Sequence, residues 1–132
     1  MSKSVLYTAL TTSTAITAGS VIPLGTTIRR FGCNLEQSTN TIETCGNGYY
    51  KVTAVATISS SSTDPITITL QQDGVAVPGS LATATVASAT EQTVLTVIGV
   101  VRNKCTCNST LSFILTGADA TINNMAVTVE KL

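Results

Sequence analysis

Histidine is absent from this chain of 132 residues, and charged side chains make up only 11% of it. Without histidine, the Ser-His-Asp and Cys-His nucleophile systems and most catalytic zinc sites are excluded. The seven acidic residues are spread along the sequence and form no recognisable acid/base pair of the kind that a glycosidase uses. These absences predict a protein that is not an enzyme and that needs no cofactor.

A net charge is also lacking, because seven Lys and Arg residues balance seven Asp and Glu residues. No overall field therefore attracts a phosphate backbone or an acidic membrane surface. The one adjacent basic pair, Arg29 and Arg30, is interpreted as a solvated or subunit-contacting pair rather than a phosphate site. We expect no binding of nucleic acid.

Long apolar runs are missing as well. The longest, Val94 to Val101, has the length of a strand and is interrupted by Thr96 and Gly99, whereas a membrane span needs roughly 18 to 20 apolar residues. In the first twenty residues, Thr and Ser break up the apolar stretches before the core of a signal peptide can form. The sequence predicts a soluble protein without a membrane segment or a cleaved signal.

Aromatic residues are few: there is no Trp, and there are three Tyr and two Phe. Since a carbohydrate-binding platform usually presents exposed aromatic rings, these residues are predicted to lie in the core and in subunit contacts. The mean hydropathy is nevertheless high for a small monomer. Burial of apolar surface between identical subunits would account for it.

What the chain does have is β-branched residues, with threonine alone at about one residue in five. The stretch from Gly46 to Ile58 runs from a glycine turn into a strict alternation of side chains. A period of two places alternate residues on one face of a strand. The residues predicted to share the face that serves core or trimer packing are Tyr50, Val52, Ala54, Ala56 and Ile58.

Turn chemistry divides the rest into short strands. The clearest hairpin has alternating residues from Ile66 to Gln71, the turn Asp73-Gly74, and a returning strand predicted to close at Pro78-Gly79. Other strands are predicted at Val5 to Thr12, Thr26 to Phe31, Thr41 to Cys45, Leu81 to Val86, Thr93 to Val101, Thr110 to Leu115 and Ala126 to Glu130. Loops are predicted at Asn34 to Asn40, Ser59 to Asp64, Ala87 to Gln92, Asn103 to Ser109 and Gly117 to Asn124.

This pattern favours an all-β fold, a two-sheet jelly-roll sandwich of eight to ten antiparallel strands. A chain of this length can form one core, and each half beside Ser59 to Asp64 is too short to close a sheet. We expect a single domain over residues 1–132, in which residues 1–20 are an N-terminal strand or an anchoring arm.

Four cysteines remain to be interpreted: Cys33 and Cys45 flank one loop, and Cys105 and Cys107 are two residues apart. Their spacing matches no common zinc motif. On a strand, Cys105 and Cys107 would point the same way and could each face a cysteine of the earlier loop. Free thiols, one or two disulfides and a metal site are all alternatives that the sequence leaves open for these cysteines.

The N-glycosylation sequon at Asn108 is discounted, because such triplets arise by chance in a threonine-rich chain.

The stretch Gly48-Tyr49-Tyr50-Lys51-Val52 resembles the tumour necrosis factor/complement C1q jelly roll, whose central strand opens with Gly-x-Tyr. Together with residues 22–50, the segment QDGVAVPGS and the closing AVTVEKL, it is similar to bacteriophage head-fibre and capsid decoration proteins and to the C-terminal domains of exosporium glycoproteins. The resemblance covers Ile22 to Leu132.

This resemblance implies a homotrimer that assembles through one flat apolar face. It further implies a structural component on the capsid surface of a bacteriophage, made in the bacterial cytoplasm, with the major capsid protein as partner. The chain lacks a collagen-like stalk, which favours this interpretation over a protein of the bacterial or spore surface. A module that binds a host glycan or receptor is the other alternative.

Overall fold

The computed structural model describes residues 4–86, 91–103 and 108–132, and in these residues it contains strands and no helix. Eleven strands are present in the described residues. They are β1 (Val5–Leu10), β2 (Thr14–Ile16), β3 (Thr26–Phe31), β4 (Leu35–Ser38), β5 (Thr41–Thr44), β6 (Gly48–Ser59), β7 (Ile66–Gln72), β8 (Val75–Ala84), β9 (Thr93–Asn103), β10 (Ser109–Thr116) and β11 (Ala120–Lys131).

The strands form two antiparallel sheets. Sheet A has the order β3-β1-β11-β6-β9, with β2 paired to one end of β11, and sheet B has the order β4-β5-β10-β7-β8. This confirms the predicted two-sheet jelly-roll sandwich. Because β3 and β4 lie at one side of the sandwich and β8 and β9 at the other, the molecule has two distinct edges.

The alternation predicted for the central strand is present in β6. Tyr50, Val52 and Ile58 have no exposed surface, and Ala54 and Ala56 are buried as well. They belong to a hydrophobic cluster between the sheets that also contains Leu6, Leu70, Phe113 and Val129. At roughly 1.5–3 kcal/mol for each large apolar side chain removed from water, this cluster is the main source of stability.

The predicted hairpin between β7 and β8 is confirmed, with a tight turn at Asp73-Gly74. Both residues have positive φ angles, 52° and 82°, as a type I′ turn requires. The prediction that Pro78-Gly79 ends the returning strand is wrong, because β8 continues to Ala84 as one strand. Pro78 is tolerated since β8 is an edge strand, and the pairing with β7 shifts register where Thr69 and Gln71 meet it.

Two predicted loops contain strand residues. The segment from Asn34 to Asn40 includes β4, which is polar except for one buried residue that faces inward, Leu35. The segment from Gly117 to Asn124 includes the start of β11, where Ala120 and Ile122 face inward. A register shift between Ile122 and Asn124 interrupts the alternation there and obscures the strand in the sequence.

The strand predicted from Leu81 to Val86 is the second half of β8 and not a separate strand, whereas the other predicted strands are present with shifted ends. At the N-terminus, β1 and β2 pair with the two halves of β11, so residues 5–16 contribute two strands to sheet A. The predicted loop from Ser59 to Asp64 lies between β6 and β7. Most of the loop predicted from Ala87 to Gln92, and residues 104–107 of the loop from Asn103 to Ser109, lie outside the described residues.

Candidate interaction surface

One edge of the sandwich presents aliphatic side chains to solvent. We call it the aliphatic edge and define it by Val75 and Leu81 on β8 and by Val94, Ile98 and Val100 on β9. Their exposed fractions are 69%, 54%, 60%, 56% and 54% in that order. Single exposed apolar residues are common on monomers, but five on two adjoining strands are typical of a surface that associates with something else.

The two strands of this edge pack closely without a hydrogen-bonded ladder between them. Ser80 is buried and donates a hydrogen bond from Oγ to the carbonyl oxygen of Ile98, at 3.2 Å. A Cβ atom at Gly99 would collide with the Ser80 hydroxyl and would also lie 3.3 Å from Leu70. Glycine at position 99 therefore permits β8 to lie against β9, so that exposed aliphatic residues of both strands occur at the same edge of the sandwich.

Next to this contact is an open slot of about 290 Å³ between the start of β8 and the end of β9. Its walls include Val75, Val77 and Pro78 on one side and Val100 and Arg102 on the other. Gln72 donates from Nε2 to the carbonyl oxygen of Arg102 at 2.9 Å, which fixes the end of the slot. The slot is continuous with the aliphatic edge, since Val75 and Val100 belong to both.

Arg102 is the cation at the end of this edge. Its guanidinium carbon lies 5.6 Å from the centre of the Tyr49 ring, in a cation–π arrangement. The two residues are direct partners in the β6/β9 ladder and face outward. Within the described residues, no carboxylate oxygen lies within 4.0 Å of Arg102.

The opposite edge, formed by β3 and β4, is closed by polar contacts. Thr27 donates to Gln37 Oε1 at 2.7 Å, and Gln37 Nε2 donates to the carbonyl oxygens of Gly25 and Thr39, both at 2.8 Å. Arg30 donates from Nε to the carbonyl oxygen of Leu35 at 2.7 Å. Charged side chains and satisfied backbone groups are the usual means by which an edge is kept from pairing with another chain.

The outer surfaces of the two sheets differ in how many large apolar side chains they expose. On the strands of sheet A, the large exposed apolar residues are Ile28, Phe31, Tyr49, Val55, Val94, Ile98 and Val100. On sheet B they are Val75 and Leu81, both on the edge strand β8. The apolar outer surface of the molecule is thus sheet A together with the aliphatic edge.

The cysteines predicted as a possible site are only partly described. Cys33 and Cys45 are free and exposed, and they lie at one end of the sandwich, where the Cys45 amide donates to the Asn34 carbonyl at 2.8 Å. Cys105 and Cys107 lie outside the described residues. Among the described residues, no group of three or more Cys, Asp or Glu side chains is close enough to hold a metal ion.

Tyr50 extends from the core to the turn before β6, at the end of the sandwich where Cys45 lies. Its hydroxyl oxygen lies 2.9 Å from the carbonyl oxygens of both Cys45 and Gly46, which share its single proton in a bifurcated hydrogen bond. Burial raises the pKa of the Tyr50 phenol, and a negative charge on the nearby Cys45 would raise it further. The phenol is thus held neutral, as a donor to the turn before β6.

The structure places all five residues predicted on one face of β6 in the interior of a single chain. The residues of the aliphatic edge were not selected by the sequence analysis. The signal for them was in the run VLTVIGVV, in which apolar residues occupy both faces of the strand rather than one. Such a strand is expected to be covered on both sides.

No helix in the described part of the chain has the length and apolar character needed to cross a membrane.

No family model matches the chain, and no curated protein sequence matches it either. The fold does match solved structures. A structure of murine APRIL at pH 5.0 superposes with a TM-score of 0.76 at 14% identity, over 99% of this chain and 100% of that one. The globular domain of a zebrafish complement 1qA protein gives 0.72 at 11% identity, over 99% and 97%.

A third similar structure is the PRD1 vertex protein P5, with a TM-score of 0.65 at 15% identity. The match covers 98% of this chain and 96% of that chain. At these identities the comparisons establish the fold and no more. The chain has the tumour necrosis factor/C1q-like jelly roll that the sequence resemblance predicted.

Proposed function

We propose that this chain is a non-enzymatic structural protein that forms a homotrimer and decorates a bacteriophage capsid, as a head-fibre or capsid decoration component. The observation that carries the proposal is the aliphatic edge, a group of five large exposed side chains on two strands that adjoin at one edge of the sandwich. Removing such side chains from water contributes roughly 1.5–3 kcal/mol each before the costs of association.

A heterologous contact is the arrangement that this surface supports. The aliphatic edge lies on β8 and β9, whereas the outer face of β6 and β11, the next strands of sheet A, presents Tyr49, Val55 and Glu130. When one copy's edge covers the next copy's face, the contact repeats and closes into a ring if the rotation allows it. A threefold ring matches the predicted homotrimer.

The capsid role is supported by the likeness to a vertex protein of a phage. It is also supported by the aliphatic edge, since exposed aliphatic side chains favour association with another protein surface. The major capsid protein is the proposed partner, and the virion surface is the proposed location. Attachment to a host glycan or receptor would require a further surface.

Two measurements, made one after the other, test the proposal. Light scattering on the purified chain at micromolar concentration is expected to give about three times the 13.6 kDa mass of one chain. Cryo-electron microscopy of phage particles made with and without the gene is then expected to show a threefold density on the capsid in the first sample alone. A monomeric chain contradicts the assembly, and identical particles contradict the virion role.

A further inference from the structure

Charge is distributed unevenly between the two sheets. The six strands of sheet A carry five cations, Arg29, Arg30, Lys51, Arg102 and Lys131, but a single acidic residue, Glu130. The strands of sheet B carry Glu36 and Glu43 and no cation. Glu130 is therefore the one carboxylate on the strands that present the apolar face.

Glu130 is half-buried on β11 and pairs in register with Val5 on β1 and Lys51 on β6. Although Lys51 is its direct neighbour across the ladder, the two side chains form no ion pair within 4.0 Å. Arg102 lies on β9, two strands away from β11, and Glu130 does not reach it within one chain. Neither Arg102 nor Glu130 forms an ion pair within 4.0 Å in the described part of the protein.

We infer that Arg102 of one copy pairs with Glu130 of the next copy, and that this pair sets the register of the trimer. The inference rests on the proposed homotrimer and names the charge contact within it. The partner surface is a second copy of this chain, because the slot beside Arg102 is continuous with the aliphatic edge, and the apolar face that can cover this edge holds Glu130.

The physical role of such a pair is specificity. Apolar surfaces associate without a strong preference for register, whereas a charge that is desolvated opposite the wrong group costs several kcal/mol. Stacking on Tyr49 limits the freedom of the Arg102 side chain before association, and thereby lowers the entropy lost when the pair forms. One correctly placed pair therefore selects one arrangement of the aliphatic edge on sheet A.

Charge exchange provides the test, with sedimentation equilibrium as the measurement. Arg102→Glu and Glu130→Arg, made separately, are each expected to raise the dissociation constant of the trimer by at least about tenfold. The double variant Arg102→Glu/Glu130→Arg is expected to return to within about threefold of the unmodified protein, because the pair is restored with its signs reversed. Circular dichroism checks that every variant keeps its β structure.

Glu36→Arg is the matched control, since it makes the same change of charge on sheet B. It is expected to leave the dissociation constant unchanged. The inference is overturned if the single variants assemble normally, if the double variant stays dissociated, or if Glu36→Arg rather than Glu130→Arg rescues Arg102→Glu. In each of these cases the unmodified protein is still a trimer, whereas an unmodified protein that is a monomer would overturn the proposed assembly itself.

Discussion

The two edges of the sandwich differ in the side chains that surround their open strands. On the β3–β4 edge, Gln37 and Arg30 hydrogen-bond to backbone carbonyls and occupy the open side of the strands. On the β8–β9 edge, Ser80 and Gln72 bond to two carbonyl oxygens of β9, but the surrounding surface is aliphatic and exposed. The first edge is protected from other chains. The second has the character of a surface that another chain covers.

The difference shows that exposure alone does not identify an interface. All six residues of β3 are exposed, including Ile28 and Phe31, yet two arginines lie between these two residues and two threonines precede them. In β9, by contrast, Val94, Ile98 and Val100 follow one another on the outer face with only Thr96 between them. The chemistry of neighbouring side chains distinguishes a solvated edge from an associating one.

The largest effect is expected from a charge placed in the aliphatic edge. Ile98→Glu would bury a carboxylate without a partner in any assembly that uses this edge, so the trimer is expected to dissociate to monomers. Size-exclusion chromatography with light scattering measures the mass. The matched control is Ile28→Glu on the β3 edge, where the mass should stay unchanged. Dissociation by Ile28→Glu but not by Ile98→Glu would reverse the assignment of the two edges.

A smaller effect is expected where β8 meets β9. Gly99→Val places side-chain atoms where the Ser80 hydroxyl and Leu70 now lie, and overpacking of this kind lowers the free energy of unfolding by typically 1–3 kcal/mol. Urea denaturation of the variant measures the loss. Combining Gly99→Ala with Ser80→Gly removes the collision and should recover most of the stability lost in Gly99→Ala alone. Equal stability of Gly99→Val and the unmodified protein would show that β8 is not held against β9.

Much of this architecture could be predicted from the sequence. The alternation in β6 and the Asp73-Gly74 turn are local signals, since each depends on residues that are adjacent in the chain. The strand β4 was missed because Leu35 is its one buried residue, and the start of β11 was missed because a register shift breaks its alternation. Local patterns do not report such irregularities.

The candidate surface was harder to predict, for a physical reason. Whether Val75 lies beside Val100 depends on how two strands from different sheets approach each other, and no sequence period encodes that approach. The run from Val94 to Val101 did contain a relevant signal, because both of its faces are apolar. From the sequence, this run predicts a strand and excludes a membrane span, but it does not identify the partner that covers its outer face.

On the protected edge, Gln37→Ala removes one acceptor and two donor contacts, to Thr27, Gly25 and Thr39. A loss of about 1–2 kcal/mol in the free energy of unfolding is expected, since each partly exposed hydrogen bond contributes modestly. Thermal or urea denaturation measures it, and the mass in solution should not change. Gln71→Ala, on β7 of the same sheet, is a control for loss of a glutamine and should cost less. A change of mass in Gln37→Ala would show that this edge also takes part in assembly.

The smallest expected effect concerns alkaline pH and Tyr50. Burial raises the pKa of its phenol above the ordinary value near 10.0, so the neutral form is favoured in the folded protein. The resulting contribution to stability is complete below the unfolded pKa and is lost as pH rises through the folded pKa. Denaturation midpoints from pH 8 to 11 should therefore fall less steeply in Tyr50→Phe than in the unmodified protein, because the variant has no phenol to ionise. Identical pH profiles would contradict this, and Tyr49→Phe, which alters an exposed ring, is the control.

The most direct test of the central claim, that the β8–β9 edge is the associating edge, is a methyl NMR measurement on the assembled protein with a soluble paramagnetic agent. The account predicts that the methyl groups of Val94, Ile98 and Val100 are protected from the agent, while those of Ile28 relax as exposed groups do. Protection of Ile28 together with exposure of Val94, Ile98 and Val100 would contradict it.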